Sequence, residues 1–177
     1  MFNFFKKKTP PFPVTDKIFM NSKARERAMF ERLQNDPEII FVHWFEDSYD
    51  RSVFAAGEGY SERIYMTRDA LQGPHSARHF IFIAHYPLLK KEVETFEKLR
   101  LQNAEVWSSL DDPLLRRSGG DRIVEMMTKL GMKEEEIISH PLISKSIIKA
   151  QQKIEKSVTM EQSARDMDSW FRKNLSP

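Results

Sequence analysis

The sequence predicts an α/β protein: an open, mainly parallel sheet covered on both faces, followed by a helical extension. Three observations carry this. Short, nearly continuous apolar runs, IIFVHWF over 39–45 and FIFIA over 80–84, lack the in-out alternation of a half-solvated strand and so suit strands buried on both faces. Charged segments with helical spacing separate these runs, which is the pattern of repeated strand-helix units. Beyond about residue 110 the strand signals stop and only helical patterns remain.

The elements follow in order. Residues 16–20 are expected as a first short strand, and Ser22 is placed to cap a helix running to about Leu33. Residues 39–45 give a second strand, then a helix over 48–56 and a glycine-containing turn. Residues 63–66 form a third strand, with Thr67 available to cap a small helix over 68–71. Residues 79–84 are the clearest strand, and Pro87 suits the first turn of a long helix reaching about Leu101. Residues 104–108 supply the fifth. Successive helices are then expected over 120–129, 134–138 and 144–156, interrupted at Gly131 and Pro141. A last helix over 159–174 places Met160, Ala164, Met167 and Phe171 on one apolar stripe with Trp170 beside it. The organisation read from this is a flexible tail over 1–15, an α/β body over 16–131 and a helical extension over 132–177.

The chain has 177 residues, enough for one moderate domain with its own core, and 40% of them are hydrophobic. A formal charge of +2 does not by itself point to nucleic acid. Lys90, Lys91, Lys98 and Arg100 share their segment with Glu92, Glu94 and Glu97, so that helix reads as a solvated face and not a phosphate rail. Lys6, Lys7 and Lys8 add a short positive tip. Trp44, Trp107 and Trp170 read as core or interface anchors and not as a base-stacking platform. No cysteine is present, which excludes disulfide and thiol chemistry. The opening MFNFFKKKTPPFPV has neither a long apolar run nor a small-residue cleavage site, so no secretory signal or transmembrane anchor is expected, and the reading is cytoplasmic.

Phosphate motifs are missing: neither a Gly-rich loop ending in Lys-Ser/Thr nor a dinucleotide fingerprint follows a predicted strand. No cofactor is expected. Gly119 and Gly120 are weak anion-binding candidates at a helix start, where N–H groups point outward, although a permissive turn explains them as well. His75 and His79 are four apart, but Pro74 and the approaching strand disfavour a common helical face, so no metal site is assigned. An enzyme alternative uses side chains near strand ends: His43, Glu46, Asp47, Thr67, Arg68 and His85. Among these, His43, Asp47, Arg68 and His85 are the candidate catalytic set of a small hydrolase or phosphate-processing enzyme, with histidine exchanging a proton, carboxylate orienting it and arginine holding an anion.

One stretch carries a specific resemblance. Asp121, Arg122, Val124, Met126, Met127, Leu130, Gly131 and Met132, followed by His140, Pro141, Lys145, Ala150, Gln151 and Lys153, resemble SecA, the preprotein translocase motor family. Asp112, Leu114, Arg116 and Gly119 also match, whereas Pro113 and Gly120 depart from the pattern. The resemblance is strongest over 110–155. It implies a degenerate RecA-like helicase C-terminal domain, resembling the end of the second nucleotide-binding domain, followed by the start of a helical scaffold. That family hydrolyses ATP between two nucleotide-binding domains, and a chain of this length has room for one. The family also places an arginine- and glycine-rich loop before the strand that leads to Leu110. Here that region reads KLRLQNAEVWSS, with Arg100 but no paired arginines or glycines, so Asp111 and Asp112 are not assigned a magnesium-binding role. The resemblance together with these departures from it gives the expectation of a noncatalytic SecA-related adaptor, regulatory or protein-interaction module without ATPase activity. A protein-export component or a second copy is the expected partner, docking on Ile147, Ile148, Ile154, Met160, Met167, Trp170 and Phe171 if the terminal helices do not all return to the α/β body; the alternative is a self-contained domain whose terminal helices complete its core.

Overall fold

The computed structural model describes residues 12–73, 78–129, 131 and 133–175. Most of the 1–15 tail, with Lys6, Lys7 and Lys8, and also His75, Leu130 and Met132 lie outside the described residues. Five strands, β1 (Val14–Phe19), β2 (Ile39–His43), β3 (Ile64–Met66), β4 (His79–Ile83) and β5 (Ala104–Ser109), form one sheet in the order β1-β5-β4-β2-β3. Every ladder in it is parallel. The helices α1 (Ser22–Asn35), α2 (Glu46–Ala56), α3 (Thr67–Ala70), α4 (Leu89–Lys98), α5 (Pro113–Arg117), α6 (Gly120–Lys129), α7 (Pro141–Ser157) and α8 (Met167–Asn174) connect and cover it. This is a parallel open α/β sheet with C-terminal helices, consistent with a RecA-like fold carrying a helical extension.

The central strands are apolar on both sides because both sides are covered. Phe41 of β2, Ile81 of β4 and Trp107 of β5 join Met29 and Leu33 of α1 on one face. Val42, Phe82 and Val106 point the other way and meet Phe96 of α4, Leu114 of α5, Ile147 of α7 and Trp170 of α8. Each such side chain contributes about 1.5–3 kcal/mol when fully buried. The helical extension therefore shares one core with the body.

Several local expectations are corrected. Asn21, and not Ser22, caps α1, accepting from the Ala24 N–H at 2.8 Å. Met66, and not Thr67, is the N-cap of α3, which has no side-chain cap. Pro87 precedes α4 instead of lying in its first turn. Residues 134–138 are not helical: Ile138 exchanges two backbone hydrogen bonds with Ile18, at 2.8 and 2.9 Å, as an isolated antiparallel bridge. Ile18 lies on edge strand β1, whose outward N–H and C=O groups need partners, and Ile138 supplies them. Pro141 does not interrupt a helix but begins α7, with His140 as N-cap, a position where the missing N–H costs nothing. The last helix is restricted to Met167–Asn174, because Asp166 caps it by accepting from the Ser169 N–H at 2.7 Å, while Arg165 O is held by the Asp47 N–H at 3.1 Å.

Candidate functional site

In a parallel sheet the loops leaving the strands converge at the carboxyl edge, where a crevice opens between elements passing to opposite faces. Such a crevice is present, with a volume of about 320 Å³. Ser22 reaches it from beyond β1, Asp47 and Ser48 from beyond β2, Ala84 from beyond β4, and Asp111 and Asp112 from beyond β5. Its charges are already committed. Asp112 is buried, accepts from Arg25 Nη1 at 2.6 Å, and also accepts from the Ser109 N–H at 2.8 Å and hydroxyl at 2.9 Å. Asp111 accepts from the Ser22 N–H at 3.1 Å and hydroxyl at 2.9 Å, the first residue of α1. Burial pushes the Asp111 carboxyl up, but hydrogen bonds from Ser109 and Ser22 and the Arg25 charge outweigh it and hold it below the usual range. The acidic turn thus ties β5 to α1. Its carboxylates do not cap α5, whose start has no side-chain cap.

At the rim, Arg51 pairs with Asp47 at 3.1 Å and Arg116 with Asp168 at 3.1 Å. These pairs are exposed, so each contributes at most about 1 kcal/mol.

His43 ends β2 on the α1 side of the sheet, and its ring is fully buried. Nδ1 lies 3.1 Å from the Ser48 hydroxyl, which donates to Phe45 O at 2.9 Å, and Nε2 has no partner among the described residues. Burial, with the Arg25 and Arg51 charges, lowers its pKa to about 3. A neutral ring in a cavity of about 10 Å³ has no room for a substrate beside it.

His85 lies on the opposite face. Strand alternation would send it to the His43 side, since His43 and Ile83 are in register and His85 is two residues beyond Ile83. The intervening Ala84 takes a left-handed conformation, φ 63°, which turns the chain. Its backbone is fixed there by two hydrogen bonds: the Ala84 N–H donates to Trp107 O, and Ala84 O accepts from Trp44 Nε1, both at 2.9 Å. His85 then sits between two buried carboxylates, with Nε2 2.9 Å from Asp16 and Nδ1 3.0 Å from Glu92. Burial favours its neutral form, but Glu92 and Asp16 outweigh this and raise the pKa to about 10. Burial likewise pushes Asp16 up, yet its His85 contact holds it below its ordinary value. Glu92 also accepts from the Tyr86 N–H at 2.6 Å.

Arg68 is elsewhere again, exposed on α3 and paired with Glu46 at 3.2 Å. His43, Asp47, Arg68 and His85 therefore line four different cavities and do not converge. His79 pairs with Glu105 at 3.2 Å, and among the described residues no group of three or more His, Cys, Asp or Glu side chains is arranged to hold a metal ion. Gly119 has φ 96°, and a Cβ on Gly120 would stand 2.5 Å from Leu110 O, so close backbone packing accounts for the second glycine. No helix among the described residues is long and apolar enough to cross a membrane.

Of the seven apolar positions proposed for docking, Ile147, Ile154, Met167, Trp170 and Phe171 are buried in the shared core. Ile148 is half-buried and Met160 is exposed. A polar hub holds this return: Glu161 accepts from the Tyr86 hydroxyl, from Trp170 Nε1 at 2.9 Å and from Lys91 at 3.0 Å. Sequence reasoning missed Asp16, Arg25 and Glu92. For Asp16 the available signal was a carboxylate within the strand VTDKIF, because a charge buried in a sheet requires a partner.

No protein-family model matches the chain. Protein translocase subunit SecA of Acidithiobacillus ferrooxidans is 60% identical over 47 residues, covering 27% of this chain and 5% of that protein. SecA 1 of Rhodopseudomonas palustris is 51% identical over 67 residues, 38% of this chain and 6% of the relative. The SecA of an Anaeromyxobacter species is 31% identical over 124 residues, 62% of this chain and 13% of the relative. The chain thus spans only a small fraction of the length of these curated relatives, and part of it resembles SecA at the level of family.

Proposed function

We propose that this chain is a noncatalytic SecA-related module that acts by contacting another protein, as adaptor or regulator, and that it does not hydrolyse ATP on its own. The observation that carries this reading is the commitment of Asp112 in the acidic turn: both of its carboxylate oxygens are engaged, by Arg25 of α1 and by Ser109 at the end of β5, while Asp111 Oδ2 holds Ser22. A carboxylate that holds a magnesium ion or a catalytic water needs free lone pairs directed at the ligand. Asp112 instead faces Arg25 and Ser109, and the rim arginines of the same crevice have acidic partners within the chain. The partial likeness to SecA points to a component of protein export as the partner, with self-association as the other form of the same role.

Calorimetry with MgATP and a turnover assay on the purified chain test the first half. Neither saturable binding nor ATPase above background is expected. Turnover abolished by Asp112→Asn would overturn the reading. Light scattering of the chain mixed with a purified SecA translocase subunit tests the second half, and a defined complex, or a stable dimer of the chain alone, is the expected result.

A further inference from the structure

A separate cavity of about 510 Å³ lies on the opposite face of the sheet from His43, between β1, α4 and α7. Its walls include Phe12, Leu89, Val93 and Ile148. Its floor is polar and buried, made by Asp16, His85, Glu92 and Gln151. The volume falls within the roughly 300–1,000 Å³ of small-molecule sites, and an apolar wall with a few convergent polar groups is their usual composition.

Gln151 is the informative member. The side chain is fully buried, and its amide Nε2 donates to Tyr86 O at 2.7 Å. A carbonyl can only accept, so this bond fixes which way the amide is turned and identifies Oε1 as the amide's acceptor atom. Oε1 is buried and has no partner among the described residues. A buried acceptor without a donor is unfavourable, and it is met when a donor arrives.

The neighbouring charges restrict that donor. His85 is held between the Asp16 and Glu92 carboxylates, so one imidazolium faces two anions and the buried floor is net negative, while Lys145 lines the cavity from an exposed position. An anionic head would be repelled there. The same geometry argues against chemistry at this floor: both ring nitrogens of His85 are engaged by carboxylates, and none is free to take a proton from a substrate.

We propose that this cavity binds a small apolar molecule carrying an N–H donor head, an amine or a primary amide, with Gln151 Oε1 accepting from the head and the apolar walls covering the body. The proposal is independent of the adaptor reading, since it concerns neither the crevice of Asp111 and Asp112 nor a protein partner.

Amide NMR titration of the full chain tests it, with 2-phenylethylamine as the donor probe, 3-phenylpropanoate as its anionic counterpart and ethylbenzene as the body without a head. The amine should give saturable shifts at Asp16, Val93 and Ile148, and the carboxylate should bind at least tenfold more weakly. Gln151→Met should erase the preference for the amine over ethylbenzene. Ser144→Phe, which fills the cavity from α7, should abolish binding of every probe while the spectrum stays dispersed. Equal binding of amine and carboxylate, undiminished binding to folded Ser144→Phe, or no saturable shift with millimolar amine would each overturn the proposal. If Gln151→Met does not fold, the amine-carboxylate comparison on the unaltered chain and the Ser144→Phe variant decide it.

Discussion

His85 and Asp16 meet at 2.9 Å across 69 positions of sequence, and they do so because Ala84 breaks the strand alternation that would have carried His85 to the other face. With Glu92 on its second nitrogen, His85 is a buried imidazolium and His43, across the sheet, a buried neutral ring. The two histidines therefore respond to pH with opposite sign.

The folded pKa of His85 is raised from 6.5 to about 10, so its contribution to stability is complete below 6.5 and is lost as pH rises toward 10. The folded pKa of His43 is lowered from 6.5 to about 3, so its contribution is complete above 6.5 and is lost as pH falls toward 3. Stability should peak near neutrality and decline on both sides. Urea denaturation across that range checks this, with His85→Gln flattening the alkaline limb and His43→Asn the acid limb; a level profile in the unaltered protein would count against both assignments.

Arg25→Met should cost about 3–5 kcal/mol, because it leaves the buried Asp112 carboxylate without its cation. The double variant Arg25→Met/Asp112→Leu should regain part of that loss, although the Ser109 N–H then lacks its acceptor. A double-mutant cycle from chemical denaturation measures the coupling, and additive losses would show that the pair is not interacting.

Gly120→Ala should destabilise by about 1–3 kcal/mol through overpacking against Leu110 O and Leu115 O, which are backbone atoms and cannot swing aside. At Gly119 an alanine meets nothing within 4 Å and only the left-handed backbone opposes it, so its cost should be nearer about 1–2 kcal/mol. Thermal melts of the two variants separate packing from conformational strain. A Gly120→Ala protein as stable as the original would refute the packing account.

Trp170→Ala should cost about 3–5 kcal/mol, since the ring is fully buried beside Tyr86 and Phe171. Met160→Ser, at an exposed position, should stay within about 0.5 kcal/mol. If Trp170→Ala left stability unchanged, α8 would not belong to the core as described.

The strands were legible because a strand buried on both faces must be apolar at consecutive positions, and runs such as IIFVHWF and FIFIA meet that demand locally. The resemblance to SecA was legible for a similar reason: it is written in contiguous residues. Helix ends were less so. Ser22 looks like a cap, but Asp111, 89 positions away, takes its hydroxyl and Asn21 caps instead. Residues 134–138 have helical composition, yet the unpaired edge of β1 draws Ile138 into a bridge. The stripe of Met167, Trp170 and Phe171 is readable as apolar, but only the tertiary fold decides that it closes on this chain's own core.

The candidate site divides along the same line. Residue types, the missing phosphate loop and the apolar positions are properties of the sequence by itself. Partners are not, because which charge faces which depends on where the chain turns. A left-handed Ala84 separates His85 from His43, and the parallel order β1-β5-β4 brings Asp16 within reach of His85. Burial then keeps His43 neutral, while the Asp16 and Glu92 carboxylates outweigh the same burial and hold His85 charged, although the two residues are chemically identical in the sequence.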